Sequence, residues 1–151
     1  LRGELVWAQQ LERAVFATPV IDSFRNVVHI ATFGSRCVGL DVETGAEVYR
    51  VDTPQPWFES FGLAGHRDIY ASPVVSPASV LVLAAGEHVV GITDEGRIAW
   101  SVDLDVSIKA SPVLVRDGQL AVICGVDGSC ALVDTKDVTI QVSGRARLGV
   151  G

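Results

Sequence analysis

The stretch Ala71-Ser72-Pro73-Val74 occurs almost unchanged at two other places in the chain, as Ala17-Thr18-Pro19-Val20 and as Ala110-Ser111-Pro112-Val113. The second and third copies start 39 residues apart, and the first and second start 54 residues apart. A period near 40 residues is typical of proteins built from repeated supersecondary units. The repeat therefore predicts the architecture before any single side chain is considered.

Each copy opens a series of short apolar runs separated by Gly, Asp and Ser turns, and no stretch of a dozen residues has a helical stripe. The runs cover residues 16–21, 27–32, 37–42 and 47–51, then 70–75, 80–85, 89–93 and 97–102, then 110–115, 120–124, 129–133 and 138–142. Four strands in a unit of this length predict a β-propeller blade. A β-sandwich also has short strands, but it does not explain the same sequence in the same phase three times.

The start of the chain fits the same phase, because an aromatic residue follows Gly by four positions at Trp7, Tyr49 and Trp100. We therefore predict an all-β chain with three complete four-stranded antiparallel blades and partial flanking blades, half of a ring of about seven or eight. Residues 1–13 are assigned to the last strand of a preceding blade and 145–151 to the start of a following one. The blades are residues 14–53, 68–104 and 105–144, and residues 54–67 form an inserted loop.

Composition narrows the function classes. The chain has 151 residues, 48% of them apolar, and a net charge of −6, which argues against a nucleic-acid surface. Its longest apolar runs are too short to predict a membrane span. Cys37, Cys124 and Cys130 lack metal-ligand spacing, and no loop holds enough acidic oxygens for calcium. Cys124 and Cys130 flank a predicted turn, so a cross-strand pair and reduced core thiols are both open.

Residues 38–49 read Val-Gly-Leu-Asp-Val-Glu-Thr-Gly-Ala-Glu-Val-Tyr, and with the Ala-Ser-Pro-Val motif this resembles the PQQ-like (quinoprotein-type) propeller repeat. The resemblance covers nearly the whole chain except residues 54–67. It implies a propeller of the non-catalytic branch, which binds no cofactor and acts as a protein-binding scaffold. A dehydrogenase of this kind would hold PQQ and calcium beside a vicinal cysteine pair, and this chain has no adjacent cysteines.

The largest departure from the repeat is the insertion at residues 54–67. The resemblance places this loop on the same face as the turns between second and third strands, and Trp, Phe and Arg are favoured in binding hot spots. We therefore select partner-binding or ligand-binding candidates from both segments, namely Trp57, Phe58, Phe61, His66, Arg67, Arg36, His88 and Asp127. The alternative is a loop that packs its aromatic rings over the junction of two blades.

The histidines of the chain give no catalytic constellation. His88 lies in a predicted turn and is expected to be exposed, whereas His29 lies inside a predicted strand and is expected to be structural. A general base needs an oriented partner, and the sequence fixes none. No catalytic, metal-binding or cofactor-binding residue is assigned.

Three functions remain open. The first is a non-catalytic scaffold that binds a protein or peptide partner on the face carrying the 54–67 insertion. The second is a propeller appended to a larger enzyme, such as an adenylate-forming one, with a regulatory or recruiting role, and the third is a fragment of a PQQ-dependent dehydrogenase. Three blades cannot close a ring, so we expect either the remaining blades of a longer parent chain or a homodimer. Periplasm or cell envelope and cytoplasm are both open as compartments.

Overall fold

The computed structural model describes residues 3–55, 69–78 and 80–136. Within these ranges the secondary structure consists of eleven β-strands in three antiparallel sheets, ordered β1-β2-β3-β4, β5-β6-β7-β8 and β9-β10-β11. Their bounds are Val20–Asp22, Val27–Thr32, Arg36–Asp41, Glu47–Asp52, Val74–Val75, Leu81–Ala85, His88–Ile92, Ile98–Asp103, Val113–Val115, Leu120–Cys124 and Cys130–Asp134. The all-β class and the successive blades are confirmed, while the predicted strand at 138–142 lies outside the described residues.

The first strand of each blade is shorter than the sequence predicts. Strands β1, β5 and β9 contain 3, 2 and 3 residues and begin directly after the motif's proline, whereas the predicted runs began at residues 16, 70 and 110. Proline has no N–H to donate to a ladder, so pairing with the second strand starts only after it.

The residues before each proline connect neighbouring blades. The backbone N–H of Thr18 donates to Ser72 Oγ at 2.8 Å, and the N–H of Ser72 donates to Ser111 Oγ at 2.9 Å. The same motif position thus links the first blade to the second and the second to the third. This linkage gives a physical reason for the hydroxyl residue that recurs beside the proline.

Two apolar clusters fill the junctions between blades, one between the first and second sheets and one between the second and third. Tyr49 marks the first junction, because a Cβ atom placed on Gly96 of the next blade would lie 2.6 Å from its ring. Trp7 has the same relation to Gly45, at 2.7 Å, and its Nε1 donates to the carbonyl of Val42 at 2.8 Å. Residues 3–13 form no strand, so the assignment of residues 1–13 to a preceding blade stays a prediction.

No helix in the described residues is both long and apolar enough to cross a membrane.

Candidate binding face

One surface of the blades is formed by two kinds of segment. The turns between second and third strands are residues 33–35, 86–87 and 125–129, and the connections between blades begin at residues 53 and 104. The N–H of Thr53 donates to the carbonyl of Ser35 at 2.8 Å, and the N–H of Ile108 donates to the carbonyl of Gly86 at 2.8 Å. Turns and connections therefore lie together, and we call the surface that they form the loop face.

Three aromatic rings meet on the loop face. Phe16 stacks on Phe33 with ring centroids 4.7 Å apart and planes 4° apart, and Tyr70 meets Phe33 edge-on at 5.3 Å. Nζ of Lys109 lies 5.7 Å from the centroid of the Tyr70 ring, within reach of a cation–π interaction. Phe16 remains 70% exposed. We call Phe16, Phe33 and Tyr70 the aromatic cluster.

The aromatic cluster was not predicted from the sequence, although a signal for it was present. Phe16, Tyr70 and Lys109 each stand directly before a copy of the repeated motif. Phe16 and Tyr70 were included in the predicted first strands, where alternation would have turned them toward a sheet face. Because those strands start only after the proline, the preceding residues emerge on the loop face instead.

Arg36 is held by two carboxylates. Its Nε donates to Asp52 Oδ1 at 2.6 Å and its Nη1 donates to Glu12 Oε2 at 2.7 Å. The hydrogen bond that Arg36 donates to Asp52 raises the pKa of Arg36. Glu12 also pairs with Arg50, with its Oε1 2.6 Å from Arg50 Nη1. Arg36 thus links residues 3–14, which we call the N-terminal segment, to β4 of the first blade.

His88 differs from its prediction as an exposed turn residue. The turn before it consists of Gly86 and Glu87 alone, with Gly86 at a φ of +71°, so His88 is already the first residue of β7. Its side chain is only 20% exposed, and its Nε2 lies 3.3 Å from Glu87 Oε1.

His29 is structural, as predicted. Its side chain is 4% exposed, and its Nδ1 lies 2.6 Å from the hydroxyl of Tyr49. Burial lowers the pKa of His29, which favours the neutral ring at physiological pH.

Asp127 stabilises its own turn. Its Oδ1 accepts hydrogen bonds from the backbone N–H of Ser129 at 2.9 Å and from Ser129 Oγ at 2.6 Å. Arg36, His88 and Asp127 therefore occupy or adjoin corresponding turns of three successive blades, and each contacts groups near it in the fold. The five candidates of the insertion, Trp57, Phe58, Phe61, His66 and Arg67, lie outside the described residues.

A small pocket opens at the junction of the second and third blades. Its volume is about 60 Å³, well below the several hundred Å³ typical of sites for drug-sized ligands. Its lining residues are Asp103, Leu104, Val106, Ile123, Gly125, Ser129, Cys130 and Ala131. Across residues 3–55, 69–78 and 80–136, no group of three or more His, Cys, Asp or Glu side chains is placed to hold a metal ion.

The three cysteines have two different states. Cys124 and Cys130 form a disulfide between β10 and β11, so the cross-strand pair is found rather than two reduced thiols. Cys37 is a free thiol in the core, where burial raises its pKa to about 12.

Comparison with known proteins adds a family and a fold. A family model described as outer membrane protein assembly factor BamB matches residues 1–141, whereas none of the curated protein sequences matches this chain. BamB from Moraxella catarrhalis has a similar structure, with a TM-score of 0.67 and 20% identity over 86% of this chain and 36% of its own. Quinohemoprotein alcohol dehydrogenase from Comamonas testosteroni has a TM-score of 0.62 and 17% identity over 82% of this chain and 20% of its own. The chain thus spans about a third of the first protein and a fifth of the second, and both likenesses confirm the propeller fold.

Proposed function

Because the chain belongs to the PQQ-like repeat family described as outer membrane protein assembly factor BamB, we propose that it is part of a non-catalytic β-propeller scaffold. The scaffold binds a protein or peptide partner on its loop face. The structural similarity to a protein named as BamB supports a scaffold role.

The aromatic cluster is the observation that carries this proposal. Its rings and Lys109 come from three blades, which the backbone-to-hydroxyl bonds along the repeated motif hold together. Aromatic side chains fixed on a rigid scaffold supply contact area at a small entropic cost, and they are enriched where partners bind most tightly. A neighbouring cation favours a partner segment that combines apolar side chains with acidic ones.

We extend the proposed surface to the insertion at residues 54–67, because it ends three residues before Tyr70 in the chain. Trp57, Phe58 and Phe61 add aromatic side chains to those of the aromatic cluster. Arg67 adds a cation, as Lys109 does, and His66 adds an imidazole. We include Arg36, His88 and Asp127 in the proposed surface, because they lie at or beside the turns between second and third strands.

Site-specific photo-crosslinking tests the loop face against a matched control. A photoreactive phenylalanine analogue replaces Phe16 in one variant and Phe24 in another. Phe24 is 90% exposed and lies in the turn between β1 and β2, at the opposite end of the strands. We expect one partner protein to be captured from position 16 and not from position 24. Equal capture from both positions would contradict a binding role for the loop face.

Ring completion is the second part of the proposal. The Thr18–Ser72 and Ser72–Ser111 hydrogen bonds form a series that further blades can continue in both directions. We propose that these blades come from a longer parent chain or from a second copy of this one. Light scattering distinguishes the two sources, because association with a second copy gives a single species of twice the chain mass of 16.0 kDa. A monomer would point to the parent chain instead.

A further inference from the structure

Cys124 and Cys130 face each other at the loop-face end of the third blade. The register pairs them at the last position of the β10–β11 ladder, with Cα atoms 4.2 Å apart. The next pair outward is hydrogen-bonded, since the N–H of Gly125 donates to the carbonyl of Ser129 at 2.9 Å. The cysteines therefore occupy a non-hydrogen-bonded position, where opposed side chains approach most closely.

Other interactions already hold this hairpin closed. β10 and β11 pair at five positions, and the turn is bonded internally through Asp127 and Ser129. In the chain-entropy account, a disulfide that closes so short a loop restricts the unfolded chain less than one that closes a long loop. The bond between Cys124 and Cys130 therefore contributes little to the stability of the fold, which favours a role in thiol–disulfide chemistry.

The disulfide borders an opening to solvent. Cys130 lines the pocket of about 60 Å³, which is large enough for the sulfur and methylene group of an incoming thiol, and both cysteines are only partly buried. Thiol–disulfide exchange requires that a thiolate reach one sulfur of the bond. Cys37 gives an internal contrast, because it is fully buried and its pKa is raised to about 12. We therefore expect its thiol to be unreactive in the folded chain.

We propose that the Cys124–Cys130 disulfide is a site of reversible exchange with a small thiol or a dithiol protein, which enters through this pocket. The incoming thiolate attacks Cys130 Sγ and forms a mixed disulfide, and the Cys124 thiolate leaves and takes up a proton. A second thiol of the reductant then attacks the mixed disulfide. The reductant leaves as a disulfide, Cys130 is released as a thiol, and two electrons and two protons have passed to the pair.

Reduction changes the turn that the pair closes. Two thiols cannot approach more closely than van der Waals contact, so the ends of β10 and β11 move apart or a sulfur rotates toward the pocket. The turn carries the exposed side chain of Val126. The backbone N–H of Val126 donates at 2.9 Å to the carbonyl of Ser107, which lies in the connection between the second and third blades. A change in this turn lets the redox state of the pair control partner binding at the loop face, a regulation that rests on the proposed function.

The first test is reduction of the folded chain by dithiothreitol without denaturant, followed by alkylation and mass spectrometry. We expect Cys124 and Cys130 to be alkylated while the circular dichroism spectrum stays native and Cys37 stays unmodified. Alkylation of the pair only after denaturant is added would overturn the proposal, because the disulfide would then be inaccessible in the fold.

The direction of attack is tested with two single variants. Cys124→Ser leaves Cys130 beside the pocket, and Cys130→Ser leaves Cys124. We expect oxidised glutathione to form a mixed disulfide about tenfold faster with the first variant than with the second, because access controls the exchange rate. Equal or reversed rates would contradict entry through the pocket.

The effect of reduction on the turn is measured by hydrogen exchange at the Val126 amide, an experiment that needs no partner. We expect reduction to raise its exchange rate about tenfold, since local opening sets that rate, and an unchanged rate would overturn the control of the turn. If a loop-face partner binds both redox forms equally, the regulation fails while the proposed function stands. If no partner binds, the proposed function fails while the exchange chemistry stands on its own tests.

Discussion

Replacement of Tyr49 by Phe removes one buried hydroxyl and keeps the ring that packs between two blades. The hydroxyl lies 2.6 Å from Nδ1 of His29, and both side chains are buried. Without it, the ring nitrogen of His29 loses its partner inside the protein. A buried polar group left without a hydrogen bond costs about 1–3 kcal/mol, so we expect the free energy of unfolding to fall by about that amount.

The second blade shows how this loss can be compensated. Its register places Val82 at the position of His29 and Trp100 at the position of Tyr49. The variant His29→Val therefore introduces a residue that the fold already accepts at that position. Combined with Tyr49→Phe, it removes both members of the His29–Tyr49 hydrogen bond at once. We expect the double variant to recover most of the loss, with a coupling energy of about 1–2 kcal/mol.

Urea unfolding of the parent chain, both single variants and the double variant, followed by circular dichroism, measures this coupling. The measurements are made at pH 8, where the imidazole is neutral in both folded and unfolded states. Additive single effects, or a Tyr49→Phe variant as stable as the parent, would refute a hydrogen bond of this importance between the two side chains.

Three further predictions follow from single contacts. Burial lowers the pKa of His29, so the unfolded chain takes up a proton first as the pH falls, and the melting temperature should decrease between about pH 7 and pH 5. His29→Val should flatten this pH dependence of the melting temperature. A variant with the same pH dependence as the parent would contradict the role of His29. Gly96→Ala places a Cβ against the ring of Tyr49 at a φ of +72°, whereas Gly128→Ala, at a φ of +83°, has nothing within 4 Å of its Cβ. Gly96→Ala should therefore lower the free energy of unfolding in denaturant by about 1–3 kcal/mol more than Gly128→Ala does. Equal losses would mean that the Tyr49 ring moves aside. Arg36→Ala should release the N-terminal segment, with little change in global stability. It should speed amide exchange at Phe33, because the N–H of Phe33 donates to the carbonyl of Ala14 in that segment. Unchanged exchange would show that Arg36 is not what holds the segment.

The regular strands were predictable from the sequence, because each is a short apolar run ended by a turn residue. The predicted runs at residues 27–32 and 120–124 coincide with β2 and β10. The first strands were predicted too long, since the apolar residues around each proline look like a strand. In the fold, the backbone N–H groups of Thr18 and Ser72 bond instead to the neighbouring blade, and the sequence of a single blade does not contain that partner.

The candidate site was predictable only in part. The positions of Arg36, His88 and Asp127 at or beside one class of turn follow from the repeat, but their contacts do not, because Glu12, Glu87 and Ser129 become partners only after folding. The aromatic cluster depends on where the first strands begin. Phe16 and Tyr70 carry a signal only when the residue before each motif is compared across the copies.

The affinity of the captured partner for three purified chains tests the scaffold account most directly. These are the parent chain, Phe33→Ala in the aromatic cluster and Phe24→Ala on the opposite face, compared by titration calorimetry. The account predicts that Phe33→Ala weakens binding at least about tenfold, or about 1.4 kcal/mol, while Phe24→Ala stays within about twofold of the parent. Equal affinities for all three chains, or a larger loss in Phe24→Ala, would contradict a binding site on the loop face.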